Sequence, residues 1–188
     1  MARRLDQVLV IDIECTCWDG PPPAGEDSEI IEIGLCPLDI STGRRLGKQS
    51  LLVRPTRSRV SAFCTKLTTL TQEQVERGGT FADACQTLRR DYFAADRLWA
   101  SAGDYDRRMF EKQCRQTNVP YPFGPSHLNV KTLFAVGRAL PTELGVDGML
   151  GVLGLPLEGT HHRGDDDAWN IALILAKLLA SLRKSASA

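Results

Sequence analysis

The sequence predicts an α/β fold, a mixed sheet with helices on both faces, from two observations. Three strand-like segments follow one another closely between residues 8 and 53. From residue 80 onward, segments of helical periodicity alternate with short apolar runs. The 188 residues are 43% apolar, which suits one domain with a sizeable core.

The elements can be taken in order. Val8 to Ile11 is a β-branched, aliphatic run that suits a buried central strand. Asp19-Gly-Pro-Pro-Pro-Ala-Gly25 is a loop by its prolines and glycines. Glu29 to Leu35 and Leu46 to Val53 are the second and third strands, and short connections imply an antiparallel meander. A long loop follows, containing Phe63 to Thr71. Thr71 and Gln74 form a capping box that opens a short helix. Phe81, Ala84, Cys85, Leu88 and Tyr92 recur at helical spacing, predicting a helix over about 80–94. Arg97 to Ser101 is a fourth strand, and the helix carrying Met109, Phe110, Gln113 and Cys114 stops before Pro120. Residues 128–134 fit either a fifth strand or a helix. Glu143 to Leu153 is a helix, and the last helix, from Asp165, buries Ala168, Ile171, Ala172, Leu175, Leu178 and Leu179. We expect one domain over residues 6–182 and a frayed tail over 183–188.

Lys+Arg and Asp+Glu both number 23, so the net charge is zero and offers no general electrostatic hold on nucleic acid. The six cysteines form no Cys-x-x-Cys pair and read as reduced core thiols of an intracellular, cytoplasmic protein. No apolar run approaches the ~20 residues that span a bilayer, and Met-Ala-Arg-Arg-Leu-Asp at the start lacks an apolar export region. No membrane association is expected.

The chemistry starts at Asp12 and Glu14. Two residues apart at the carboxyl end of the first strand, they point to the same face. Like charges placed together repel and are costly to desolvate unless a hard divalent cation lies between them, and such oxygen donors suit Mg²⁺ or Mn²⁺. Taken alone, the pair reads equally well as a strand end facing water. Sites in such sheets gather at the carboxyl ends of central strands. Asp106 follows the fourth strand and opens a helix; by itself it reads as an N-cap. Asp167 borders the buried face of the last helix, although Asp165 to Asp167 also suit a helix N-terminus as simple charge. His162 lies five residues before Asp167 on a Gly-rich loop, Gly159 to Gly164, that is expected to be mobile. Four carboxylates and an imidazole are the parts of two-metal phosphoryl chemistry. Two ions about 3.5–4 Å apart hold the attacking and leaving oxygens, and a histidine titrating near neutrality takes a proton from water.

The order Asp-x-Glu, then Tyr105-Asp106, then His162-x-x-x-x-Asp167 resembles the DEDDh 3′–5′ exonucleases of the ribonuclease H-like superfamily, over about residues 6–182. A narrower likeness, to the RNA-trimming branch that includes the histone-mRNA 3′ exonuclease, is carried by five stretches. These are Ile13 to Trp18, Glu29 to Gly34, Phe63 to Gln72, Gly103 to Asp106 and His162 to Asn170. The resemblance implies a five-stranded ribonuclease H-like sheet, two Mg²⁺ or Mn²⁺ ions held by Asp12, Glu14, Asp106 and Asp167, and His162 as general base. By the same pattern Asp106 is favoured over Asp104, and His162 over His161. It also implies that Thr16, Cys17 and Trp18 line the terminal nucleotide's pocket and that Leu70 lies against its base, a contact that tolerates any base. Thr69 stands where many relatives have Gly, which implies a bulkier pocket wall. The RNA-binding domain that RNA-trimming members often add is not read in this sequence.

The expected reaction releases nucleoside 5′-monophosphates from a single-stranded 3′ end of RNA or DNA, with RNA favoured. Arg54, Arg57, Arg59, Lys66, Arg107, Arg108 and Arg163 are candidate partners of the nucleic-acid backbone. One rival is a nucleic-acid-binding module of the same fold with little turnover. The other is a zinc site of Cys15, Cys17 and His161 or His162. Strand alternation opposes the latter, since it turns both thiols away from the carboxylates and into the core.

Overall fold

The computed structural model describes residues 4–186. Its strands are β1 (Arg4–Cys15), β2 (Ile30–Asp39), β3 (Gln49–Leu52), β4 (Arg97–Ser101) and β5 (His127–Asn129). They form one sheet in the order β3-β2-β1-β4-β5. The first three pair antiparallel, and β4 joins β1, and β5 joins β4, in parallel. β1 is central, as its apolar run requires: Val8 to Ile11 are all buried. The helices are α1 (Ala62–Thr68), α2 (Gln72–Glu76), α3 (Phe81–Asp91), α4 (Tyr105–Thr117), α5 (Val130–Gly137), α6 (Val146–Leu153) and α7 (Gly164–Ala186).

Alternation divides β1 between two cores. Leu9, Ile11 and Ile13 pack with Phe81 and Leu88 of α3 and Phe110 of α4. Val8 and Val10 pack with Phe134 of α5, Met149 of α6 and Ile171 and Leu175 of α7. Helices therefore cover both faces, as expected. The β1–β2 register shifts between Glu14, opposite Glu32, and Cys15, opposite Ile30. Ile31 is the extra residue of this bulge. It turns into a third, small cluster with Cys64, Leu70 and Val75, which seats α1 and α2.

Four segments differ from the sequence reading. The stretch read as loop contains α1: Ser61 caps it by accepting from the Cys64 N–H, and Thr69 ends it in the left-handed region at φ 64°. Its two threonines, Thr65 and Thr68, hid the helical pattern. The ambiguous 128–134 segment is both things, since β5 ends at Asn129 and that residue caps α5 through the Thr132 N–H. α6 starts at Val146, not Glu143, because Gly145 is its N-cap. The tail expected to fray from 183 continues as helix to Ala186; residues 187 and 188 lie outside the described residues. The capping box of Thr71 and Gln74 is present, and Thr80 with Asp83 makes a second one.

Two backbone features place the site. Glu29, at the start of β2, accepts N–H groups from Thr56 (3.1 Å), Arg57 (2.8 Å) and Ser58 (2.7 Å), which ties down the loop before α1. Burial raises the Glu29 carboxyl, but these donors outweigh it and leave its pKa lowered. On the other face, α7 meets β2 backbone to backbone. A Cβ on Gly34 would lie 1.8 Å from the carbonyl carbon and oxygen of Gly164. Only a glycine allows that approach.

Candidate active site

Asp12 and Glu14 emerge in phase with Val8 and Val10, so both stand on the face covered by α7. The β1–β4 ladder ends at Val10 opposite Ala100. Beyond that point the edge of β1 is free, and Asp106 in the first turn of α4 occupies it. The Ile13 N–H donates to Asp106 Oδ1 at 3.0 Å. Asp167 arrives from the first turn of α7, brought in by the Gly34–Gly164 contact. Oxygens of Asp12, Glu14 and Asp167 lie within 4.8 Å of one another. All four carboxylates, with His161 and His162, line one cavity of about 390 Å³.

Their electrostatics follow from crowding. Burial first, then the charges of Asp106, Asp167, Glu14 and Glu32, raise Asp12 well above the ordinary carboxylate range. Burial, Asp167, Glu32 and Asp106 push Glu14 up to about 8. Burial pushes Asp106 up to about 6, opposed by N–H donors including Ile13 and by the Lys131 charge. Acid groups that resist ionising together, with oxygens a few ångströms apart, fit a hard divalent cation.

The histidine loop is held by its own backbone. Thr160 N–H donates to Asp166 Oδ2 and His162 N–H to Asp167 Oδ2, both at 2.8 Å. Gly159, at φ 85°, lies so close to Asp166 that a Cβ would be 2.0 Å from its carboxylate. This segment, expected to be mobile, is therefore pinned at several points. His162 has a left-handed backbone (φ 63°), and its ring stacks on His161 with centroids 4.0 Å apart. It is the His161 ring, however, whose Nδ1 lies 3.0 Å from Asp167 Oδ1. Burial and the neighbouring His161 lower the His162 pKa.

Glu32 was missed as a site residue. It is fully buried opposite Glu14 and accepts from Arg163 Nη2 and the Gly164 N–H, each at 2.9 Å, and from Ser50. It thereby anchors the start of α7. An acid set between isoleucines inside the second strand was the available signal. Arg163 is consequently engaged with Glu32, and Arg107 lies 3.4 Å from Asp104; neither is a free partner for a nucleic-acid backbone. Asp104 itself stands at the N-terminus of α4 without a side-chain cap bond and lies outside the cavity lining.

The residues expected around a terminal nucleotide divide. Cys17, placed in the core by strand alternation and at the pocket by the resemblance, lines the cavity, since β1 ends at Cys15 and alternation stops there. Thr16 is turned inward, its hydroxyl accepting the Glu29 N–H at 3.0 Å. Trp18 lies outside the lining, and Leu70 is interior, packed with Ile31 and Val75. Leu67 of α1 and Tyr105 of α4 face the cavity instead. Among the described residues no group of potential metal ligands includes a cysteine, so the zinc alternative has no geometry to support it.

Fold and site together define a ribonuclease H-like exonuclease of the DEDDh class. The chain belongs to the RNase_T family, described as Exonuclease, whose model matches residues 9–175. It is 32% identical to human 3′-5′ exoribonuclease 1 over 189 aligned residues, covering 93% of this chain and 52% of that protein. The chain thus spans about half the length of this relative. The nuclease domain of 3′hExo, a DEDDh family member bound to rAMP, superposes with a TM-score of 0.85 at 28% identity, covering 94% of this chain and 92% of that one. The 3′-exonuclease described in 3′-end specific recognition of the histone mRNA stem-loop gives 0.84 at 27% identity, covering 96% of this chain and 65% of that one.

Proposed function

We propose that this chain is a divalent-metal-dependent 3′–5′ exonuclease that releases nucleoside 5′-monophosphates from single-stranded 3′ ends, RNA in preference to DNA. The observation that carries this reading is the convergence of Asp12, Glu14, Asp106 and Asp167 beside an imidazole pair in one cavity. Those four carboxylates would hold two Mg²⁺ or Mn²⁺ ions, which supply neutralisation of phosphate charge and activation of water. His162 is the general base: with its pKa lowered it is neutral at pH 7 and can accept a proton from the attacking water. His161 keeps the stacked pair against Asp167. Cys17, Leu67 and Tyr105 are the cavity walls available to the terminal nucleoside. RNA preference is supported by the likeness to 3′-5′ exoribonuclease 1 and to the rAMP-bound domain, and a contact to the 2′-hydroxyl would enforce it.

The test is digestion of matched 3′-end-labelled RNA and DNA oligonucleotides, single- and double-stranded, with Mg²⁺ or Mn²⁺. Single-stranded RNA should release labelled 5′-monophosphate fastest, and chelation should stop it. Release of labelled fragments longer than one nucleotide, or activity insensitive to chelator, would refute the reading.

A further inference from the structure

Among the residues lining the cavity, Lys131 is the single lysine or arginine. It makes no ion pair among the described residues, although it lies close enough to Asp106 for its charge to favour the ionised carboxylate. Its place is not explained by helix stability. Asn129 is the N-cap of α5, so Lys131 stands in the first turn, where a cation opposes the helix dipole. Gly103, at φ 113°, passes beside its side chain, and a Cβ there would touch Lys131 Cδ and Nζ at 3.8 Å. The turn out of β4 therefore leaves the lysine room to extend along the cavity wall.

The two flanks of the cavity differ. The imidazoles sit against Asp167, which makes that flank the side of the attacking water. Asp106 stands outside the tight group of Asp12, Glu14 and Asp167, on the β4 flank, and Lys131 is beside it. Opposite the attacking side is where the shortened strand departs. Resting on the function proposed above, we infer that Lys131 is a substrate-binding residue that pairs with the phosphate one linkage 5′ of the scissile one. It holds the departing strand in a cavity where four carboxylates would otherwise repel it. A compact ammonium suits a point contact to one phosphate oxygen.

The test compares Lys131→Ala and Lys131→Arg with the wild type on two single-stranded RNAs. One is unmodified; the other carries a neutral methylphosphonate only at the linkage next to the scissile one. For the wild type, kcat/KM should fall about tenfold on the neutral linkage. Lys131→Ala should lose about the same on the unmodified RNA and nothing further on the modified one, while Lys131→Arg retains most of the rate. Full activity of Lys131→Ala, or equal losses by wild type and Lys131→Ala on the modified RNA, would overturn the inference. A variant that fails to melt cooperatively is judged by Lys131→Arg, which must then show the wild-type response to the methylphosphonate. A wild type that cuts neither RNA would instead overturn the underlying exonuclease reading.

Discussion

Asp12→Asn will abolish metal-dependent nuclease activity while raising the melting temperature of the metal-free protein. Both effects have one cause. Burial and its four acidic neighbours hold Asp12 well above the ordinary carboxylate range, so its ionised form is poorly tolerated without a cation beside it. The amide keeps the shape and removes the charge. Without ions the fold gains; with ions it loses a ligand that no neighbour can replace. Removing one preorganised charge of this kind costs about 10²–10³-fold in kcat, and a shared metal ligand should reach the upper end. The check is kcat in saturating Mg²⁺ together with thermal unfolding in chelator. Lower stability in chelator with activity retained would contradict it.

Gly34→Ala will damage activity and stability together. The added Cβ would meet the Gly164 carbonyl at 1.8 Å and the Asp165 nitrogen at 2.3 Å, so the obstacle is backbone on both sides and no side chain can swing away. Overpacking typically costs about 1–3 kcal/mol, and more where neighbours cannot yield. The start of α7 must retreat, and Asp167 and the histidine loop with it. A displacement of about 1 Å in a catalytic constellation costs on the order of 10²-fold. Gly151→Ala is the control: nothing lies within 4 Å of a Cβ there and the site is helical, so it should gain about 0.5–1 kcal/mol. Unfolding curves and kcat for the two variants check this. Wild-type kcat in Gly34→Ala would show that the contact does not position the site.

How much of this was legible in the sequence depended on how local each signal was. The central strand announced itself because a β-branched run needs no partner to be recognised, and the capping box at Thr71 because its two residues bond each other. Asp12 and Glu14 were placed on one face by alternation alone. Asp106 and Asp167 stood out by their places after a strand and beside a buried helix face, but an aspartate opening a helix is usually a cap, and only the resemblance favoured Asp106 over Asp104. What stayed hidden was tertiary. Leu67 and Leu70 differ by three residues on a short segment, and it is Leu70 that packs against Ile31, the extra residue of the bulge, in the interior. Cys17 followed alternation until the strand that imposes it ended. Arg163 looked like a free surface cation because its partner, Glu32, is 131 residues away.

The most direct test of the site is thermal unfolding with and without Mg²⁺, from pH 5 to pH 8. Glu14 has a folded pKa of about 8 against an ordinary 4.5. Between those values the native state holds a proton that the unfolded chain has released, so metal-free stability falls as pH rises through that window. Bound ions replace the proton. The stabilisation by Mg²⁺ should therefore grow with pH, reaching about 5–10 °C by pH 8 at ion concentrations ~100-fold above Kd, and should largely vanish in Asp12→Asn. A melting temperature indifferent to Mg²⁺ across this range, or the same Mg²⁺ response in Asp12→Asn, would contradict a cation site built from these four side chains.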